Sequence, residues 1–341
     1  MSCSGFDVSF SKLSTILGGP GRAASVAGAL RHGRRPEEAA VKPKALEGLS
    51  LVEAHRDLEV AARDGTRRFR FSGKSGAWES VLIPNASRST VCVSTQVGCR
   101  RGCSFCATGT LSRPTNLSSS EIIHQVWYAI KRAQELGAPT VRNVVFMGMG
   151  EPLDNLRRVE RAVKLLVDGR LWGFGPRHVT VSTVAPSPKA VSRLGPWPVR
   201  VAWSLHAAED QKRRKLVASQ SSSVEALAEA FRRLARPLFV EMTLIDGVND
   251  LASDAEAAAW LFRNFESEVR FNLLPVNPSD VRPGHRPPPP ERVEAFAARL
   301  RERGHRVMLR RPRGDDEAAA CGQLVTLPRP EAAAEPAARS G

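Results

Sequence analysis

VCVSTQVGCRRGCSFCATG, residues 91–109, decides how the rest of the chain is read. Its start, V-C-V-S-T, is apolar and β-branched and predicts a strand. Its end is a loop holding Cys99, Cys103 and Cys106 in the spacing C-x3-C-x2-C, with Cys92 seven residues upstream. Disulfide stapling fits poorly. Six cysteines are too few for a disulfide scaffold in 341 residues, and the N-terminus MSCSGFDVSFSKL has neither the basic start nor the apolar run of a secretion signal. A cytoplasmic, reducing location is expected, with the thiols doing chemistry. Three thiolates can hold three irons of a [4Fe-4S] cluster and leave the fourth open to a ligand that is not protein. Structural zinc asks for four closed ligands, usually two C-x2-C pairs, and no second pair exists here. Cys92 could be a fourth ligand but lies on the strand, so a zinc site and a four-thiolate cluster stay as alternatives.

Strands and helices alternate on either side of this stretch. Upstream, TRRFRFSGKSGAWESVLIP (66–84) predicts two strands joined by a Gly-Ser turn. Downstream, SSSEIIHQVWYAIKRAQELG (118–137) predicts a helix. Ser118 and Glu121 form its capping box, Ile122, Ile123, Val126, Trp127 and Ile130 its apolar stripe, and Gly137 stops it. Five more strand and helix pairs follow, beginning at VRNVVFM, HVTVSTV, VRVAWSLH, LFVEMTLI and EVRFNLL, and a last strand, RVMLRR, precedes GDDEAAACGQL. Six βα units with apolar, β-branched strands predict a parallel sheet buried on both faces, curled by right-handed crossovers into an open partial (β/α)6 barrel. In such a barrel the active site lies at the carboxyl ends of the strands, directly where the cysteine loop begins.

Residues 1–65 form a short basic accessory segment, weakly patterned, with one short helix around AASVAGALRH (23–32) and a Pro-containing linker near RRPEEAAVKPK. The core spans 66–325, and the tail 326–341, LPRPEAAAEPAARSG in the main, has too little apolar content to fold. No apolar run approaches the ~18 residues a membrane helix needs. A net charge of +15 points to a polyanionic partner, RNA or DNA.

With the loop, the charge and the barrel in view, CRRGCSFC resembles the signature of radical S-adenosylmethionine (SAM) enzymes. The motifs QVGC, NVVFMGMGEPLDN, VTVSTV, SLHAAED, NLLPVNP and RGDDEAAACGQL, in that order from about residue 79 to 325, are similar to those of the RlmN/Cfr family of radical SAM RNA methyltransferases. The resemblance implies that Cys99, Cys103 and Cys106 hold a [4Fe-4S] cluster whose open iron chelates SAM. It implies SAM contacts from Gly150, Glu151, Ser182, Ser204, Leu205, His206 and Asn277. It also implies that Cys321 carries the methyl group, that Cys92 releases the product through a transient disulfide with Cys321, and that Glu79 is the base.

The substrate implied is an adenine ring carbon, C2 rather than C8, in 23S rRNA and in some members tRNA. Such a carbon has almost no nucleophilicity, so it cannot simply attack the SAM methyl, and a methyl carried on cysteine and activated by a radical answers that need. An electron donor such as flavodoxin or ferredoxin, a thiol reductant to reopen the disulfide and a monomeric enzyme complete the expectation. Cys3 lies outside every motif. Residues 1–65 contain only Phe6 and Phe10 as aromatics, whereas the family's N-terminal helical domain carries more. A radical SAM enzyme acting on peptides, or a zinc-dependent nucleic-acid module, would explain fewer of these motifs.

Overall fold

The strand predicted at the start of the cysteine stretch lies at the seam of a mixed, ten-stranded sheet in a computed structural model that describes residues 3–4, 6–50, 54–111 and 113–325. The tail expected to be disordered, 326–341, lies outside the described residues, as does the side chain of Cys3. Three strands, β1 (His55–Ala61), β2 (Arg67–Gly73) and β3 (Gly76–Asn85), form an antiparallel meander that leads into β4 (Arg88–Cys92). From β4 onward all pairings are parallel and follow chain order. They run through β5 (Val141–Phe146), β6 (Val179–Thr183), β7 (Arg200–Ser204), β8 (Leu238–Leu244), β9 (Val269–Pro275) and β10 (Arg306–Leu309). The edges β1 and β10 do not pair, so the sheet is the open α/β partial barrel expected.

The inner face differs from the expectation of strands apolar on both sides. Register places Trp203, Val240 and Phe271 on one face, where Trp203 stacks on Phe231 at 4.8 Å and Phe271 meets Phe262 at 5.5 Å beneath the helices. The opposite face carries Ser204, Glu241 and Asn272 in register. These strands are polar inside because the concave face is a site rather than packed core.

The helices α1 (Phe10–Leu17) and α2 (Pro20–Arg31), with a single turn at Pro43–Leu46, precede the sheet. The helix between β4 and β5, α3 (Ser119–Glu135), has its capping box as expected: Glu121 N donates to Ser118 Oγ at 3.1 Å and Ser118 N to Glu121 Oε2 at 2.7 Å. Ile122, Ile123 and Val126 are fully buried. Each such side chain contributes about 1.5–3 kcal/mol against about 1 kcal/mol for a cap, so the stripe holds the helix and the cap sets where it starts. The remaining crossovers are α4 (Leu156–Val167), α5 (Pro188–Ser192), α6 (Asp210–Leu216), α7 (Val224–Arg232), α8 (Ala252–Leu261) and α9 (Pro290–Glu302); α6 was not legible as a helix in the sequence.

The N-terminal segment is more structured than its sequence suggested. Phe6 packs on His124 and Trp127 of α3, with ring centroids 5.5 and 5.4 Å apart. Trp127 Nε1 donates to the Arg34 carbonyl at 3.1 Å, and Arg31 Nε to that of Leu171 at 2.7 Å. Leu13, Leu17, Val26 and Leu30 join the main apolar core. Strand β1 also falls before residue 65, so a cut at that point runs through the meander.

Candidate active site

The cysteine loop leaves β4 and is tied across the carboxyl end of the barrel. Cys99 N donates to Leu111 O (2.9 Å), Ser104 N to Leu216 O (2.9 Å), and Ala107 N to Gly322 O (2.7 Å). Thr108 Oγ1 donates to Leu324 O at 2.6 Å. Arg101 Nε holds Asp154 at 2.8 Å and so anchors the loop to the turn after β5. Cys103 and Phe105 sit in a separate apolar cluster with Leu216, Val217, Ile245 and Val276. Cys99, Cys103 and Cys106 all line one cavity of about 170 Å³. Burial pushes Cys99 up to about 12 and Cys103 well above the ordinary thiol range, and charge on the neighbouring cysteines adds to both. Thiols so shielded and so mutually repelling ionise only beside strong positive charge. Among the described residues no three His, Cys, Asp or Glu side chains converge on a single-ion site. Three thiols around one cavity are the donor set of a [4Fe-4S] cluster with one iron left open.

The GMGEP turn after β5 forms the adjacent wall. A Cβ on Gly148 would meet Ser94 N and Val93 C at 2.9 Å, and one on Gly150, whose φ is +97°, would meet Gln96 Cβ at 2.6 Å. The glycines are therefore required by close approach to the chain leaving β4. Glu151 is buried. Its carboxylate accepts from Thr183 Oγ1 (2.6 Å), Leu153 N (3.0 Å) and Val184 N (3.0 Å). Burial nevertheless holds it up at about 6, so its charge is available to stabilise a cation in the cavity. Three donors leave one of its roughly four acceptor sites open.

Ser182 and Ser204, ending β6 and β7, share a hydrogen bond of 2.9 Å on the cavity wall. His206 follows with φ +62°. Its Nδ1 accepts from Thr243 N at 3.1 Å, which leaves Nε2 as the protonated nitrogen. Burial depresses its pKa to about 3, so the ring is a neutral donor, edge-on to Phe105 at 4.6 Å. The Leu205 side chain is fully buried and does not line the cavity; its backbone is used instead, by Glu241 O and Arg213 Nε. Asn277 Nδ2 donates to Cys321 O at 2.9 Å, while its buried Oδ1 has no partner among the described residues. An orphaned acceptor of this kind suits a ligand donor.

Cys92, at the end of β4, and Cys321, in the segment after β10, come together on the inner face. Burial raises Cys92, and charge on Cys321 raises it further. Cys321 is exposed on one side, yet its thiol is crowded enough that desolvation, followed by Glu241, lifts it to about 11. Both thiols are free. The disulfide expected between them is thus absent from this state. Glu79 is almost fully buried, not a solvated strand carboxylate. It accepts from Arg68 at 2.7 Å and from Val325 N at 3.0 Å, and burial raises it to about 7 against the pull of Arg68.

Two residues escaped the sequence reading. Glu241 faces the cavity from β8 and accepts from Asn272 Nδ2 at 2.7 Å. Arg213, buried on α6, ties the ends of β6 and β7 by donating to Val184 O (2.6 Å), Leu205 O (2.8 Å) and Ser204 O (3.2 Å). An alternating V-E-M-T strand and a Q-K-R-R-K run carry no local sign of either role.

A curled, open parallel sheet with a three-cysteine loop beyond its first parallel strand defines a radical SAM protein, and residues 93–257 match the model of the radical SAM superfamily. A crystal structure of a radical SAM methyltransferase from Sphaerobacter thermophilus superposes with a TM-score of 0.85 at 37% identity, over 94% of this chain and 98% of that one. A probable RNA methyltransferase of Sorangium cellulosum is 41% identical over 83% of this chain and 73% of its own length. A probable dual-specificity RNA methyltransferase RlmN of Thermus thermophilus is 39% identical over 86% of this chain and 82% of its own length. The chain belongs to the RlmN family of radical SAM RNA methyltransferases.

Proposed function

We propose that the protein methylates C2 of an adenine in 23S rRNA, and in tRNA as a second substrate, through a methyl group carried on Cys321. The observation that supports this reading is the approach of Cys92 to Cys321 on the inner face, from parts of the chain far apart in sequence, with Glu79 bonded to Val325 in the segment that carries Cys321. A generic radical enzyme has no use for two thiols outside its cluster loop.

Cys99, Cys103 and Cys106 would hold a [4Fe-4S] cluster, and Gly150, Glu151, Ser182, Ser204, His206 and Asn277, with the backbone of Leu205, would hold SAM. Glu151 would face its ammonium and Asn277 Oδ1 would accept one of its donors. When bound, cluster and SAM supply the methyl group and the radical chemistry. Cys321 holds the one-carbon unit at the cavity mouth and joins enzyme to base. Glu79 takes the ring proton and passes the electron pair of that C–H bond toward the ring. The Cys92 thiolate attacks the Cys321 sulfur, the electron pair of the sulfur–carbon bond passes to the carbon and ring, the carbon takes up a proton to become the methyl group, and the methylated base leaves. The two sulfurs remain as a disulfide that a cytoplasmic thiol reductant reopens. An electron donor of the flavodoxin or ferredoxin type serves the cluster, and one chain suffices as a monomer.

Mass spectrometry of rRNA and tRNA from cells with and without the protein tests the reading. Loss of 2-methyladenosine on deletion is expected. Loss of 8-methyladenosine instead would move the assignment to C8, and unchanged RNA would overturn it.

A further inference from the structure

At the amino-terminal ends of β4 to β7, opposite the cysteine loop, arginines gather without acids. Arg88 opens β4, Arg142 is second in β5, Arg177 and His178 immediately precede β6, and Arg200 opens β7. All four arginines are exposed, and no ion pair among the described residues includes any of them. His178 is depressed by partial burial and then by Arg177, Arg142, Arg200 and Arg88. Arg200 is lowered by burial and then by Arg270, Arg177 and Arg88. No carboxylate opposes these effects. On the outer helices arginines come with acids, Glu229 with Arg232 and Arg233 and Glu256 with Arg299 and Arg303, and at the starts of β9 and β10 Glu268 pairs Arg270 and Arg306. At this rim, by contrast, like-charge repulsion is left for an outside anion to relieve.

A second observation ties the rim to the site. The guanidinium carbons of Arg200 and Arg270 lie 5.4 and 5.7 Å from the centroid of Phe239. Phe239 is two residues before Glu241 on β8, and so on the same inner face as the cavity that Cys321 lines. Phe239 and Glu241 thus put the rim contact and the cavity wall on one face of β8. The carboxyl end is covered by the cysteine loop bonded to Gly322 and Leu324.

We propose that Arg88, Arg142, Arg177 and Arg200 form a phosphate-binding rim that holds the RNA backbone flanking the base to be methylated, an inference that rests on the RNA methyltransferase reading above. The test is the quadruple variant R88Q/R142Q/R177Q/R200Q, with cluster content and thermal unfolding measured first to show that it folds. The probe is an unmodified transcript of the peptidyl transferase region of 23S rRNA, bound over a range of salt. The slope of log affinity against log salt should become shallower by about three, since each phosphate contact is worth roughly 0.7–0.9. R233Q/R299Q/R301Q/R303Q removes the same charge from the outer helices and should keep the wild-type slope. A rim variant with an unchanged slope on an RNA that the wild type methylates overturns the rim and leaves the function standing. Equal losses in both variants mean that only net charge matters, and also overturn it. A wild type that neither binds nor methylates the transcript overturns both readings.

Discussion

Glu79 is a carboxylate kept where its charge is costly. Its base form grows as pH rises through about 7, so release of RNA from the covalent adduct should speed up through that range and level off above it. Glu79→Gln keeps the shape and should flatten the profile while adduct accumulates; a wild-type release rate in that variant would exclude Glu79 as the base. The Arg68 guanidinium lowers the same pKa. Arg68→Met should therefore shift the profile to higher pH, because Glu79 without its partner keeps its proton through neutrality rather than standing as an unpaired buried charge. The sign for stability is opposite to that of an ordinary acid. Because the folded state holds this proton more tightly than the unfolded chain, the contribution of Glu79 to stability falls as pH rises from 4.5 toward about 7. None of this was legible in AWESVLIP. The groups that bury and pair Glu79 are Arg68, across the meander, and Val325, 246 residues on. Glu241 and Arg213 were missed for the same reason, since their partners are assembled only by the fold.

At the level of elements, the parts fixed by local chemistry were readable. The α3 capping box and stripe, the hairpin turn and the order of six βα units follow from spacing alone. The short helix α6 and the strand β1 were not, because they lie in charged, weakly periodic sequence and are held by neighbours. The GMGEP turn shows a motif with a packing role that its sequence does not reveal. Its glycines pack on residues 93–96, and the turn in turn positions Glu151. Gly148→Ala should push the turn off the chain leaving β4, destabilise the fold by about 1–3 kcal/mol and weaken SAM binding by equilibrium dialysis. A variant that binds SAM as the wild type does would show that this contact does not set the wall of the cavity.

For the whole molecule, the N-terminal segment and the ends of the core matter most. Deleting residues 1–46 uncovers Trp127 and His124 along with the core formed by Phe6, Leu13, Leu17, Val26 and Leu30. Burial of each large apolar side chain is worth about 1.5–3 kcal/mol, so the truncated protein should unfold at lower temperature and bind a hydrophobic dye. A truncation with unaltered melting would contradict the packing. Sequence alone showed this segment as basic and sparse because its apolar residues serve a face on α3 rather than a core of their own. The chain also brings Cys92 and Cys321 together, and these two thiols should fail differently when replaced. Cys321→Ala lacks the sulfur that carries the methyl and should bind RNA reversibly. The most direct test of the account is peptide mapping of Cys92→Ala purified from cells. It should carry covalently attached RNA at Cys321, because it can form the adduct but cannot break it. Normal turnover by Cys92→Ala, or a cross-link that persists when Cys321→Ala is added, would contradict the account.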